Sequence, residues 1–308
     1  MRWDDFRRSD NIEDRRGDGG GGMLPGGGGG LPIRGGHIGI GGIVILLILS
    51  WVLGINPLTL LGGMDTGDTG GQTYQAPAGA PSGSTGTAQD RTTQLVAAVL
   101  GDTEDRWGEI FRDKGQTYTA PKLVLFSGVT RSACGTAQSA MGPFYCPNDQ
   151  KIYLDTAFFQ QMQTQLRGCP VGSRSCEFSE AYVIAHEVGH HVQNLLGILG
   201  KAHRLQSSAG EAAGNRVQVR VELQADCLAG VWANHSDAKW KSLEPGDVEA
   251  ALQTASAIGD DMLQKRAQGY VVPDSFTHGT SAQRTHWFTV GLKSGTIESC
   301  DTFSPSQP

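Results

Sequence analysis

The chain has 308 residues, with 31 acidic and 25 basic side chains and a formal net charge of −6. This balance argues against nucleic acid as a partner, because no basic patch is present to meet a phosphate backbone. Nucleotide binding is disfavoured too, because no glycine-rich phosphate loop follows a strand pattern.

Residues 1–37 are predicted to form a disordered, glycine-rich cytoplasmic tail. Acidic residues and arginines alternate over residues 1–16, and residues 17–36 contain twelve glycines. A segment of this composition has no means of building a core of its own.

Residues 38–61 are predicted to be a transmembrane anchor. The run from Ile38 to Ile55 carries no formal charge, and the apolar stretch extends to Leu61, which is long enough to cross a hydrocarbon core. A cleaved signal peptide is the alternative. Six arginines precede the run, at positions 2, 7, 8, 15, 16 and 34, whereas residues 56–90 contain no Lys or Arg. The positive-inside rule then predicts a single-pass membrane protein with a cytoplasmic N-terminus and a periplasmic or extracellular domain.

Residues 62–90 are rich in Gly, Thr, Ser, Ala and Pro and are predicted to be a flexible linker. The folded domain is then expected to span residues 91–303, which is ample for a single core.

Strand patterns come first in this domain and helical patterns follow, which predicts an α+β fold, mostly helical with a small sheet. Strands are expected near residues 121–127, 142–146 and 151–155, the last two flanking a turn at 147–149. Helices are expected near residues 91–100, 103–113, 156–166, 179–198, 214–235, 246–267 and 280–292.

The predicted helix over 179–198 contains His-Glu-Val-Gly-His at residues 186–190. Positions four apart share a helix face, so His186 and His190 can direct both imidazoles at one metal ion. Glu187 then lies where its carboxylate reaches a metal-bound water. Apolar flanking residues indicate a buried helix, in which these polar groups need partners. Gly189 indicates close packing, either beside a metal or against another helix.

A catalytic zinc ion needs a third protein ligand, and Glu222 is the preferred candidate. It lies in the helical pattern over 214–235, with Asp226 four residues later on the same face. Asp226 is predicted to accept a hydrogen bond from a ligand histidine and so to fix its ring. His203 and His235 stay open as alternative ligands. Pairing of Glu222 with an arginine, at position 216 or 220, is the structural alternative.

A third segment, residues 277–284, places His278 just before a helix capped by Thr280 or Ser281. His278 is a candidate donor to the oxyanion that forms during peptide hydrolysis. Arg284 is a candidate for orienting a carboxylate or facing the substrate. A loop histidine and a surface arginine are equally acceptable interpretations. By contrast, two other histidines, 191 and 286, are predicted to be structural.

All six cysteines lie in the predicted domain, and their even number suits disulfide formation in an oxidising compartment. Proximity in sequence suggests Cys134–Cys146 and Cys169–Cys176, which leaves Cys227–Cys300, although other pairings stay open. A structural cysteine-rich zinc site is the rival, and the absence of any CxxC disfavours it.

The segments HEVGHH, ELQAD and HGTSAQR, in this order, together with CGTAQSAMGPFYCPNDQKIYLD over 134–155, resemble the bacterial neutral zinc metallopeptidase family. More distantly, HExxH with a later ExxxD is similar to the gluzincins, zinc peptidases whose third ligand is glutamate. HGTSAQR resembles the histidine-to-arginine motif of membrane prenyl-protein endopeptidases, in which a proline commonly stands at the position of Gly279. The resemblance implies a zincin-like metallopeptidase domain, and therefore a Zn²⁺-dependent peptidase that acts on proteins or peptides.

We therefore predict a membrane-anchored zinc endopeptidase with a zinc-activated water and Glu187 as general base. The alternative is a non-catalytic, zinc-stabilised binding module or scaffold of the cell envelope.

Overall fold

The computed structural model describes residues 1–17, 87–139, 142–164, 169 and 175–304. Residues 1–28 and 94–308 belong to one compact unit. Of the other unit, residues 29–93, the description covers only the first turns of a helix. The predicted anchor, residues 38–61, and most of the predicted linker lie outside the described residues. No helix within the described ranges has the length and apolar character needed to cross a bilayer.

Residues 1–17 are ordered, so the prediction of disorder for residues 1–16 is wrong. Strand β1 (Ile12–Asp14) pairs in parallel with β2 (Lys122–Phe126). Met1, Trp3 and Phe6 are buried in the main hydrophobic core of the domain. The alternating charges obscured these few apolar residues, whose partners lie far along the chain, as in the packing of Phe6 against Trp240 and the hydrogen bond from Trp3 to Glu177.

The charged residues of this segment also have partners in the domain. Arg7 forms ion pairs with Glu104 and Asp105, and Glu13 forms one with Lys151. Gly101 makes the contact possible, because a Cβ there would lie 2.2 Å from the carbonyl oxygen of Arg7. The segment is therefore fixed by burial, strand pairing and ion pairs together.

The main sheet has four strands in the order β1-β2-β6-β5, where β5 is Phe144–Cys146 and β6 is Lys151–Asp155. β2 and β6 are parallel, and β5 and β6 are antiparallel across the predicted turn. A separate hairpin, β3 (Val129–Ser132) and β4 (Gly135–Gln138), was not predicted. Its strands are short, and most of their residues are not buried, so they lack a buried apolar pattern.

Helices make up most of the described domain, which confirms the mostly helical α+β prediction. They are α1 (Thr87–Asp113), α2 (Ala157–Thr164), α3 (Ser175–Leu195), α4 (Ile198–Ser208), α5 (Glu211–Trp240), α6 (Asp247–Ala257), α7 (Asp260–Gln268) and α8 (Ser281–Ser294). The two helices expected over 91–113 are one continuous helix, and α4 was not predicted. The single helix expected over 246–267 is interrupted at Gly259, where a Cβ would lie 2.6 Å from the backbone of Ser281.

α5 is the central helix of the site, and α3 and α8 both pack against it. Gly230 of α5 and Gly291 of α8 face the opposite backbone so closely that a Cβ at Gly291 would lie 1.8 Å from the Cys227 carbonyl oxygen. The first turn of α8 carries Arg284, whose Nη2 donates a hydrogen bond to the hydroxyl of Tyr182 in α3.

Three disulfides join Cys134 to Cys146, Cys169 to Cys176, and Cys227 to Cys300. They are the pairs that sequence proximity suggested. The last one ties the middle of α5 to the C-terminal segment.

Candidate metal centre

α3 brings the HExxH residues into the interior of the domain. Apolar residues on both sides of the motif are buried, and His186 and Glu187 are each only 7% exposed. Gly189 is in contact with α5, where a Cβ would lie 2.9 Å from the Ala225 carbonyl oxygen. The glycine therefore serves helix–helix packing, and this packing sets the distance between the motif and α5.

Glu222 of α5 lies opposite both histidines. Its Oε2 atom is 3.2 Å from Nε2 of His186 and 3.4 Å from Nε2 of His190. One ligand atom from each of the three residues lies within 4.8 Å of the others. Within the described part of the chain, this is the group of His, Cys, Asp or Glu side chains that could hold a metal ion.

The donor set fits zinc. Two imidazoles and one carboxylate make up a common protein ligand set of catalytic zinc, which leaves one coordination position open. Tetrahedral ligands at bond lengths of about 2.0–2.2 Å lie roughly 3.3–3.6 Å apart. The two Nε2–Oε2 distances agree with this spacing to within about 0.1 Å.

Asp226 contacts Nδ1 of His186, the ring nitrogen that does not face Glu222. Its Oδ1 atom lies 2.8 Å from Nδ1 of His186 and accepts a hydrogen bond of 2.6 Å from the hydroxyl of Tyr182. Arg284 donates to both carboxylate oxygens, from Nε at 2.8 Å and from Nη2 at 2.9 Å. With Asp226 ionised, Nδ1 of His186 carries the proton, which leaves Nε2 free to bind a metal.

Burial disfavours the ionised form of Asp226, but the charges of Arg284 and His186 outweigh it and lower the pKa of this carboxyl. Burial also lowers the pKa of His186, yet Asp226 and Glu222 raise it to about 10 when no metal is bound. Arg284 is itself buried and pairs with a carboxylate, so it does not face the substrate.

Gln193 orients the second histidine and was missed as a functional residue. Its Oε1 lies 2.9 Å from Nδ1 of His190, while its Nε2 donates to the Val221 carbonyl and to Gln224. Because the amide nitrogen is already a donor, Nδ1 of His190 carries the proton and Nε2 is free. The spacing of three residues from His190 is the sequence signal that could have identified it.

Gln218 orients the carboxylate and was missed as well. Its Nε2 donates a hydrogen bond of 2.7 Å to Oε1 of Glu222, which leaves Oε2 for the metal. The two arginines proposed as alternative partners of Glu222 bind elsewhere. Arg216 forms an ion pair with Asp274, and Arg220 donates to the Phe303 carbonyl.

Glu187 lies beside the ligands without being one. Burial raises the pKa of its carboxyl, and the charges of His186 and His190 partly oppose that shift. A buried carboxylate with a raised pKa is suited to taking up and releasing a proton.

His278 lies close enough for its positive charge to favour the ionised forms of both Glu187 and Glu222. At Glu187 this effect is smaller than that of burial, which raises the pKa. The side chain of His278 is half exposed, and its Nδ1 is 3.4 Å from Oδ1 of Asp260. The other oxygen of Asp260 accepts the backbone N–H groups of residues 277, 278 and 279. Asp260 thus fixes the loop that carries His278.

Gly279 explains the departure from the histidine–proline pattern. Its φ is +90°, which proline cannot adopt, and a Cβ there would lie 3.2 Å from Leu223 and Val219 of α5. The backbone conformation and the close approach to α5 both require glycine.

The other histidines that the structure describes lie away from the ligand set. His191 is fully buried and bonds to the Tyr145 hydroxyl and the Thr119 carbonyl. His235 bonds to the Gly295 carbonyl. His203 and His286 are exposed on α4 and α8. Neither of the alternative third ligands, His203 or His235, belongs to the candidate metal cluster.

Comparison with known proteins places this site in a family. A family model described as "Putative neutral zinc metallopeptidase" matches residues 1–303. "Uncharacterized protein YpfJ" of Escherichia coli (strain K12) is 46% identical over 306 residues, which cover 99% of this chain and 100% of that protein. "Uncharacterized protein Rv2575" of Mycobacterium tuberculosis (strain ATCC 25618 / H37Rv) is 46% identical over 229 residues, covering 71% of this chain and 74% of that protein. No solved structure matches the chain significantly.

Proposed function

The chain belongs to the neutral zinc metallopeptidase family, whose cofactor is Zn²⁺, and we propose that it is an endopeptidase that hydrolyses peptide bonds in proteins or peptides. The main support for the proposal is that the side chains of His186, His190 and Glu222 lie together in one cluster, with Glu187 beside them. A zinc site with a purely structural role has no need of a base at position 187.

Each residue has a defined task in this proposal. Zinc held by His186, His190 and Glu222 would supply a Lewis acid for a carbonyl group and for a water molecule. Glu187 would accept a proton from the attacking water and return it to the leaving amine. The raised pKa of Glu187 suits both halves of this transfer.

His278 is proposed to stabilise the oxyanion. Burial lowers the pKa of His278, but the hydrogen bond with Asp260 and the charges of Glu222 and Asp260 outweigh it and raise this pKa. A protonated imidazole is a strong donor to developing negative charge. Asp260 is the group that keeps the ring directed towards the site.

The test is the substitution Glu187→Gln. We expect this variant to bind one zinc ion per chain and to lose at least about a hundredfold in kcat, since general-base catalysis contributes about 10²–10⁴. Glu180→Gln is the matched control, because Glu180 is equally buried on the same helix but bonds to Gln163. Peptide cleavage by Glu187→Gln at the wild-type rate refutes the mechanism. A closed four-ligand zinc site without any cleavage by the wild type supports the binding module instead.

We propose further that the domain lies outside the cytoplasm, because three disulfides favour an oxidising compartment. Membrane attachment through residues 38–61 stays a proposal from sequence. The pairing of β1 with β2 adds a requirement, since both strands must fold in one compartment. A single crossing at 38–61 places the two strands on opposite sides of the membrane in either orientation, so the single-pass topology predicted from sequence conflicts with this pairing.

Labelling with a membrane-impermeant maleimide tests the shared compartment. Asp4→Cys and Lys265→Cys, both at exposed positions, are expected to be labelled to the same extent in intact cells. Labelling of only one of the two positions contradicts the shared compartment.

A further inference from the structure

The hydrogen bond between His190 and Gln193 is the first link of a longer chain of side-chain amides. Nε2 of Gln193 donates to Oε1 of Gln224 at 3.0 Å, and Nε2 of Gln224 donates to the Cys300 carbonyl at 2.8 Å. The chain therefore crosses from α3 to α5 and ends in the C-terminal segment. Gln193, Gln224 and Cys300 are 0%, 6% and 0% exposed, so solvent has little access to these hydrogen bonds.

Every hydrogen bond of this chain has a fixed direction. The chain ends on two backbone carbonyls, those of Cys300 and Val221, and a carbonyl oxygen can only accept. Gln224 must therefore turn its NH₂ group to Cys300, which leaves its oxygen for Gln193. Both hydrogens of the Gln193 NH₂ group are used, one by Gln224 and one by Val221. The oxygen of Gln193 is left for His190, from which it accepts the proton on Nδ1.

This direction determines which nitrogen of His190 can bind a metal ion. With the proton on Nδ1, the lone pair of Nε2, which lies 3.4 Å from Glu222, is free for zinc. A reversed Gln193 amide would turn its NH₂ group to Nδ1 and favour the opposite tautomer. It would also set its oxygen against two acceptors, and a buried acceptor without a donor is costly. The chain of amides thus selects the tautomer that binds a metal.

The Cys227–Cys300 disulfide holds the far end of the chain. Both cysteines are fully buried, and Cys227 follows Gln224 by three residues on α5. The disulfide therefore fixes the Cys300 carbonyl relative to the side chain that donates to it. The Cys134–Cys146 disulfide, by contrast, joins the β3–β4 hairpin to β5 and includes no residue of the chain.

We propose that Gln224 is a positioning residue for the zinc ligand His190, and that the Cys227–Cys300 disulfide supports zinc binding through it. The disulfide then acts on the metal centre in addition to stabilising the fold. The inference rests on the zinc site of the proposed function, but it requires no peptide hydrolysis.

Zinc affinity of the Gln224→Met variant tests the chain, because methionine has a similar length and no N–H donor. We expect the affinity, titrated against a competing chelator, to fall by roughly three- to tenfold, less than the 10–100-fold typical of removing a direct partner of a ligand. Gln264→Met is the matched control, because Gln264 is also 6% exposed and bonds to Val272 and Ser275 instead. It should leave zinc affinity unchanged.

Two further measurements separate positioning from a general loosening of the fold. The first is NMR of the zinc-loaded protein. In Gln224→Met the Nδ1 proton of His190 should exchange with water faster than in the wild type, whereas that of His186, which Asp226 holds, should not change. The second is a double-mutant cycle. In a protein that already carries Gln193→Met, adding Gln224→Met should cause no further loss of zinc affinity, because the path to the histidine is already cut.

The double substitution Cys227→Ser and Cys300→Ser tests the part of the disulfide. It should lower zinc affinity by roughly three- to tenfold, and this loss should disappear in a protein that already carries Gln224→Met. Cys134→Ser with Cys146→Ser is the matched control, which removes a disulfide outside the chain and should leave zinc affinity unchanged. Circular dichroism checks that each variant is folded. If the first serine pair does not fold, Gln224→Met and the NMR comparison decide.

Wild-type zinc affinity in Gln224→Met, equally faster exchange at both ligand histidines, or an additive loss with Gln193→Met overturns the positioning role. Equal losses of zinc affinity in the two serine pairs overturn the role of the disulfide. Peptide cleavage by the wild-type protein, measured in parallel, separates these results from the proposed function. If the wild type cleaves nothing but Gln224→Met loses zinc affinity as expected, the chain stands and the peptidase proposal fails. If the wild type cleaves peptides and Gln224→Met binds zinc normally, the function stands and the chain fails.

Discussion

Asp226→Asn is the sharpest test of how the protein holds its metal site. Asp226 is fully buried, and each of its carboxylate oxygens accepts a hydrogen bond from Arg284. In either orientation an asparagine places its NH₂ group against a donor of that arginine. The substitution also leaves Arg284, which is 2% exposed, without its counter-charge.

The expected loss can be estimated from these contacts. Breaking a buried ion pair by removing one partner costs about 3–5 kcal/mol, because an uncompensated charge stays buried. The free energy of unfolding of the metal-free protein should fall by this amount. Zinc affinity should fall by about 10–100-fold, the usual effect of removing the group that orients a ligand histidine.

Denaturant unfolding of the metal-free protein and zinc titration against a competing chelator measure the two effects. Asp274→Asn is the control, because Asp274 forms an exposed pair with Arg216 and should contribute less than about 1 kcal/mol. Adding Arg284→Met to Asp226→Asn should restore part of the stability, because the two residues are coupled. An Asp226→Asn protein within about 1 kcal/mol of the wild type, with unchanged zinc affinity, refutes this account.

Three further outcomes are expected. Replacing Cys227 and Cys300 by serine opens a loop with a sequence separation of 73 and should lower the free energy of unfolding by about 4 kcal/mol, measured by denaturant unfolding without reductant. Gly291→Ala should destabilise the protein by at least about 1–3 kcal/mol through collision with α5, whereas Gly108→Ala should stabilise it by about 0.5–1 kcal/mol; thermal unfolding compares them. Hydrogen bonds from Lys151 outweigh burial and lower the pKa of Glu13 to about 2, so its contribution to docking β1 should be present above about pH 4.5 and disappear as the pH falls towards 2. Hydrogen exchange of the β2 amides measures this docking, and Glu13→Gln should remove its dependence on pH in that range.

The cluster of His186, His190 and Glu222 could be predicted from sequence because its signals are local. HExxH fixes two imidazoles on one helical face, and Glu222 with Asp226 repeats the same four-residue spacing. Gln193 and Gln218 were missed because a neutral amide has no motif of its own, and a spacing of three or four residues from a ligand indicates only that a contact is geometrically possible. Only the orientation of the neighbouring ligand reveals the hydrogen bond that each one makes.

The parts of the fold that were missed depend on distant partners or on misleading local composition. Residues 1–17 look like a solvated charged tail until their partners in α1, β2 and β6 are known. α4 lies between Gly197 and Gly210 and contains Gly200, so its local composition indicates a loop. Its stability comes from packing against α5, which local propensity does not report.

One face of α5 links the whole site. Gln218, Glu222, Asp226 and Gly230 follow one another at intervals of four residues, so they lie along one stripe of the helix. The first donates a hydrogen bond to the second, which faces the two histidines. The third fixes the ring of His186, and the fourth admits the backbone of α8, whose first turn carries Arg284. A shift of the helix by one residue rotates this stripe by about 100° and removes all four contacts at once. The tight contacts at Gly189, Gly230 and Gly291 therefore act on the metal site itself, because they hold α5 in the one rotation that completes it.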